Sequence, residues 1–113
     1  MSTTSRPAVT PDISTVERDR EAPLFNVVLL DDDDHTYEYV IEMLVKLFAC
    51  SEAAAWNHAV EVDTAGRTIV MTCEREMAEY GRDQIQSYGA DWRMPKCKGS
   101  MSAIVEPSAG GAG

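Results

Sequence analysis

The sequence predicts an α/β (α+β) domain in the order β-α-α-β-α-β, a three-stranded sheet covered by three helices. Three observations carry this. A short apolar run, Phe25-Asn26-Val27-Val28-Leu29-Leu30, ends abruptly at four consecutive aspartates, Asp31 to Asp34. Apolar residues then recur at spacings of three and four, which is helical periodicity. Two later runs, one of them rich in β-branched residues, supply the remaining strands. Each helix has only one apolar face, so the strands must share one sheet and the helices must cover it.

The first run follows Pro23, is β-branched at its centre and reads as a buried strand. Next, Tyr37, Val40, Ile41, Leu44, Leu47 and Phe48 form one broad apolar stripe. Glu38, Glu42 and Lys46 mark its wet face, with Glu42 four residues ahead of Lys46. Asp34 and Thr36 are both candidate caps. Ser51 reads as the cap of a second helix ending near residue 60, where Ala53, Ala54, Ala55 and Ala59 allow close packing and Trp56 adds bulk to the core. Ala65-Gly66 is a turn, and residues 67–73 are the second strand. A third helix covers 74–88, with Met77, Ala78, Gly81, Ile85 and Tyr88 on one side. Gly81 inside it costs about 1 kcal/mol relative to Ala, so a packing reason is expected. Residues 89–100 hold Gly, Pro and basic residues and read as a loop, before a last strand over 101–106.

With 113 residues the chain has room for one domain. Residues 1–22 are rich in Ser, Thr, Pro and charge, bury too little apolar surface to offset their ordering entropy, and are expected to be disordered. Residues 107–113 are expected to be a flexible tail, leaving a core over 23–106. The net charge of −9 argues against nucleic acid and anionic membranes as partners. No stretch reaches the roughly 20 apolar residues of a membrane span, and no signal peptide is visible, so a cytoplasmic protein is expected. Cys50, Cys73 and Cys97 are odd in number and far apart, which argues for reduced thiols over a disulfide framework or zinc site. His58 reads as a surface histidine. No Ser-His-Asp spacing, phosphate loop or cofactor fingerprint is present.

The acidic run is the main chemical signal. Clustered carboxylates at a strand end repel one another and favour a cation between them: a metal ion, a basic side chain or a primary ammonium. A solvated acidic turn is the plainer alternative. Counting from Asp31, an EF-hand loop would need a Gly at the sixth position and a Glu at the twelfth; Thr36 stands at the sixth, and Glu42 lies inside the predicted helix. Paired acids after a first strand also hold magnesium in phosphoacceptor domains, but those alternate strand and helix five times. No metal and no cofactor is expected.

Val27-Val28-Leu29-Leu30-Asp31-Asp32-Asp33, followed by Tyr37-Glu38-Tyr39-Val40-Ile41-Glu42-Met43-Leu44, resembles the ClpS family, whose hallmark is a hydrophobic strand ending in Asn-Asp-Asp, a Thr-Pro segment and a helix opening with an aromatic-Val-Ile run. The resemblance spans about residues 24–106 and implies a ClpS-like sandwich. It further implies a non-enzymatic, monomeric adaptor that binds N-degron substrates, whose first residue is Phe, Tyr, Trp or Leu, and delivers them to the N-terminal domain of a Clp AAA+ unfoldase. By that resemblance Asp31, Asp32, Asp33 and Asp63 would bind the substrate α-amino group. His35, Tyr37, Val40, Ala59, Val62 and Met101 would line the pocket for the first side chain. Glu76 and Arg82 would dock the unfoldase. The chain departs from the family's pattern at several of these. Asp31 stands for Asn, Asp63 for a histidine, His35-Thr36 for Thr-Pro, Tyr37 and Ala59 for two methionines, and Gly81 for a docking lysine. The alternatives are a divalent-metal or phosphoacceptor domain using Asp31 to Asp34, or a same-fold scaffold that binds an internal segment.

Overall fold

The computed structural model describes residues 23–108. The extension expected over 1–22 and the end of the tail, 109–113, lie outside the described residues. Six elements follow one another: β1 (Leu24–Leu30), α1 (Tyr37–Phe48), α2 (Glu52–Ala65), β2 (Arg67–Glu74), α3 (Arg75–Gln86) and β3 (Ala103–Pro107). The strands form one antiparallel sheet in the order β2-β1-β3. The most apolar strand takes the centre, where Val27, Val28 and Leu29 are wholly buried.

Alternation along β1 divides the sheet into two faces. Val27 and Leu29 enter the core with Tyr39, Val40, Met43 and Leu44 of α1, Ala55, Ala59 and Val62 of α2, and Ala78 and Ile85 of α3. Asn26 and Val28 face the other way, where Val28 lies opposite Ile69 on one side and Ile104 on the other. A register shift between Val27 and Val28 leaves Val70 as the extra residue of β2. That bulge lets Ile69 stay outside while Met71 and Cys73 turn toward the core. Polar groups on the outer face are satisfied within the sheet: the Thr72 hydroxyl donates to Asn26 Oδ1 at 2.7 Å, and Arg67 donates to Glu106 at 2.6 Å.

The helix ends resolve what the sequence left open. Thr36, not Asp34, caps α1, its Oγ1 accepting from the Tyr39 N–H at 3.1 Å. Ser51 caps α2 through the Ala54 N–H. This helix runs five residues beyond its expected end near residue 60 and stops at Gly66, whose φ of 87° is the left-handed conformation glycine adopts without strain. Its buried stripe is only Ala55, Ala59 and Val62, too weak an apolar pattern to mark the last turn in sequence. β2 passes into α3 without a loop, Glu74 being both the last strand residue and the helix cap. β3 begins two residues later than expected because Met101 is buried in the core instead of pairing in the sheet. Glu42 does not pair with Lys46; it reaches Arg93 in the loop at 2.6 Å. Trp56, expected in the core, is half exposed, and His58, expected at the surface, is half buried with Nδ1 2.8 Å from the Thr68 hydroxyl.

Gly81 has its packing reason. A Cβ there would stand 3.2 Å from the Phe48 ring and 3.5 Å from Val27, so glycine lets α3 close on β1 and the end of α1. Position 81 is therefore buried and holds no surface lysine. Replacing Gly81 with Val, which overpacks this contact, is expected to destabilise the fold by about 2 kcal/mol, read as a lower urea midpoint at unchanged m-value.

Candidate functional site

β1 keeps its backbone pairing to its last residue and one beyond. The Leu30 N–H donates to Ser102 O and the Asp31 N–H to Gly66 O, both at 3.0 Å. Asp31 is thereby held between the start of β2 and the approach to β3, and the chain turns sharply after it. In that turn the Asp32 carboxylate accepts from the Asp34 N–H at 2.9 Å and lies 2.7 Å from His35 Nδ1. The other ring nitrogen of His35 lies 2.7 Å from Gly99 O. The histidine is thus a strut between the acidic turn and the loop of residues 87–102.

A second anchor holds that loop. The Asp91 carboxylate is buried and accepts four bonds: from the Thr36 N–H at 2.7 Å, the Thr36 hydroxyl at 2.8 Å, the Arg93 N–H at 3.0 Å and the Arg93 guanidinium at 3.1 Å. Burial opposes its ionisation. The N–H groups of Thr36 and Arg93, with their side chains, outweigh burial and hold the pKa at about 2. The Tyr39 hydroxyl donates to Gly89 O, and the Gly89 N–H donates to Ser100 Oγ at 2.6 Å. The loop that sequence left without structure is therefore fastened to the first turn of α1 at several points. Nothing in the sequence around Asp91 marks it, since two of its four bonds come from Thr36, 55 residues away.

Between these anchors lies a cavity of about 40 Å³ lined by Asp31, Asp32, His35, Thr36, Tyr37, Val40, Ala59, Val62, Asp63 and Met101. Val40, Ala59, Val62 and Met101 are buried and make an apolar floor. Asp31, Asp32 and Asp63 bring three carboxylates to the rim. Asp33 and Asp34 are exposed and do not line it. Glu76 stands elsewhere, at the start of α3, beside a shallow depression shared with Pro23, Phe25, Glu74 and Arg75. Arg82 pairs with the adjacent Asp83 at 3.0 Å. Among the described residues no group of three His, Cys, Asp or Glu side chains is placed to hold a metal ion.

The rim is electrostatically strained. Burial raises the Asp31 pKa above its ordinary 3.8, and the carboxylates of Asp63, Asp32 and Asp33 push the same way, against the Asp32 N–H. Asp63 lies near the C-terminus of α2, whose last turn has no basic residue. A carboxylate there meets the negative end of the helix dipole. Its neighbour is the Tyr37 hydroxyl, which donates to Asp63 at 2.5 Å and whose own pKa is raised chiefly by that bond. Such an arrangement stores unfavourable charge that a cation would relieve.

The comparisons with known proteins bear on this site. The family described as ATP-dependent Clp protease adaptor protein ClpS matches residues 20–95. The chain belongs to the ClpS family. It is 32% identical to the ClpS adapter of Synechococcus elongatus over 94 residues, covering 82% of this chain and 87% of that one. To the ClpS adapter of a Nostoc species it is 33% identical over 84 residues, covering 74% and 87%. Among solved structures, ClpS2 of Agrobacterium tumefaciens bound to L-phenylalaninamide superposes with a TM-score of 0.66 at 26% identity, over 77% of this chain and 99% of that one. The α+β fold is that of ClpS, and ClpS proteins are Clp protease adaptors. No helix among the described residues is long and apolar enough to cross a membrane.

Because its folded pKa lies below the ordinary 3.8, Asp91 stabilises the fold fully above pH 3.8, and that contribution is lost as pH falls toward about 2. Replacing Asp91 with Ala orphans the Thr36 N–H and the Arg93 guanidinium and is expected to cost about 3 kcal/mol at neutral pH, with a smaller difference from wild type in urea unfolding at pH 2.

Proposed function

We propose that this ClpS protein binds the free α-amino group and bulky apolar first residue of N-degron polypeptides and delivers them to a Clp AAA+ unfoldase, itself catalysing nothing. The observation that carries this reading is the pairing of three rim carboxylates, Asp31, Asp32 and Asp63, with the apolar floor of Val40, Ala59, Val62 and Met101. A protonated α-amine offers three donors, and an ionised carboxylate is acceptor-only. The ligand in the ClpS2 structure, phenylalaninamide, has this chemistry: a primary amine next to a benzyl group. In this chain Asp31 and Asp63 take the places of a neutral Asn and a His, which makes the rim more anionic. Asp33, on the solvent side, contributes through its field. Burying a Phe or Leu side chain adds roughly 1.5–3 kcal/mol, which with the ammonium contacts suits a transient binder.

The unfoldase side of the reading rests on Glu76 and Arg82. Glu76 borders the depression where Arg75 lies over the Phe25 ring at 4.8 Å, a charged feature at the opposite end of β1 from Asp31. A surface there leaves the pocket open while the adaptor is docked.

Peptides beginning with Phe, Tyr, Trp, Leu or Ala, each free and N-acetylated, test the first half. Free bulky residues are expected to bind, with acetylation weakening them at least about tenfold. Equal weak binding of all, acetylated ones included, would instead favour an internal-segment scaffold. Affinity should also be bell-shaped in pH. It falls in acid as the raised Asp31 carboxyl takes up a proton, and in base as the peptide amine, with a pKa of about 7.7–8.0, loses its own.

A further inference from the structure

We propose that Tyr37, Asp63 and Trp56 form a latch that closes the pocket, and that a first residue binds only after its ammonium has replaced the Tyr37 hydroxyl on Asp63. This rests on the N-terminal-binding reading and deepens it by saying what limits access to the pocket.

Trp56, Ala59 and Asp63 are spaced by three and four along α2 and so lie on one face of the helix. Tyr37, the first residue of α1, spans that face. Its ring meets Trp56 edge-on with centroids 5.2 Å apart, and its hydroxyl reaches Asp63 Oδ2 at 2.5 Å. Tyr37, Ala59 and Asp63 all line the cavity, so the bond forms part of its wall. The cavity, about 40 Å³, has room for a few water molecules. A phenyl or indole ring does not fit in that space, so the rim must move for a bulky side chain to enter. The floor is fixed by buried residues of α1 and α2 and by Met101; Tyr37 is only partly buried, at the edge of the core, and is the bulky part of the wall least held by packing. Ala59 is the small residue on the α2 face that Tyr37 crosses, so the ring gains space there that a longer side chain would fill. Trp56 is half exposed and contributes no core packing that would explain it; its contact with Tyr37 does.

The chemistry of opening is an exchange on one carboxylate. Closed, Asp63 accepts a phenolic O–H. Open, it faces the incoming ammonium together with Asp31 and Asp32. Asp63 has a donor in the closed and in the bound state and lacks one only in the transient open state, and the repulsion among the three carboxylates is relieved only in the bound state. A ligand lacking a charged amine gives Asp63 nothing in return for the tyrosine.

The latch makes the open state a minor population, and the apparent affinity is reduced by that fraction. Replacing Tyr37 with Phe keeps the ring and removes the bond. It is expected to tighten binding of a Phe-initiated peptide about threefold to tenfold, all of it in the association rate, with dissociation unchanged. Stopped-flow anisotropy with a C-terminally labelled peptide reads both rates. The latch itself is visible without ligand: in a Trp92→Phe background Trp56 is the remaining tryptophan, and Tyr37→Phe is expected to change its emission. Unchanged emission, or Y37F binding that is equal to or weaker than wild type with faster dissociation, overturns the latch. If emission responds but neither protein distinguishes free from acetylated peptide, the N-terminal-binding reading fails, and the latch's role as its gate falls with it.

Discussion

The buried carboxylate of Asp91 holds the candidate-site end of this molecule together. Four hydrogen bonds converge on it, from Thr36 far back in the chain and from Arg93 in its own loop. Two of them come from Thr36, which also caps α1. The direction in which α1 leaves the acidic turn is thus tied to the loop after α3. His35, one residue earlier, meets the same loop at Gly99. Without these ties the pocket would lose a wall, because Met101 is delivered to it by the end of that loop. A buried charge is tolerable only when fully hydrogen-bonded, and Asp91 meets that condition.

Rigidity on that side contrasts with stored charge on the other. Local rules favour a basic residue in the last turn of a helix and disfavour carboxylates crowded at a strand end. The chain breaks both, with Asp63 near the end of α2 and Asp31 and Asp32 at the end of β1. Violations of local preference concentrate where a protein binds something. Here the two violations meet at one rim, above an apolar floor. The tyrosine that bridges to Asp63 offsets part of the cost in the unliganded protein.

The family assignment and this geometry support each other without being the same claim. The family assignment comes from similarity across most of the chain and says that it is a Clp protease adaptor. The geometry comes from this chain's own residues. Asp63, Tyr37 and Ala59, which the sequence resemblance reads as departures from the family's pattern, all line one cavity. Changes that share a cavity act on one another, so they are best read as a single altered pocket.

Strong periodicity made much of the fold legible. The stripe from Tyr37 to Phe48, the apolar run into Asp31 and the Ser51 cap each specify their element through local chemistry, and the acidic run marked the end of β1. Where the apolar pattern thins, as in the alanine stripe of α2, the boundary was set by packing against α1 and by Gly66. The pocket wall at Met101, the Asp91 anchor and the Tyr37–Asp63 bond were decided only by tertiary structure. Each joins residues 26 or more positions apart, and a hydrogen bond or a shared cavity between such residues leaves no periodic trace in either segment. Composition and spacing determine which elements form and what charge they carry; which side chains then face one another depends on how those elements pack.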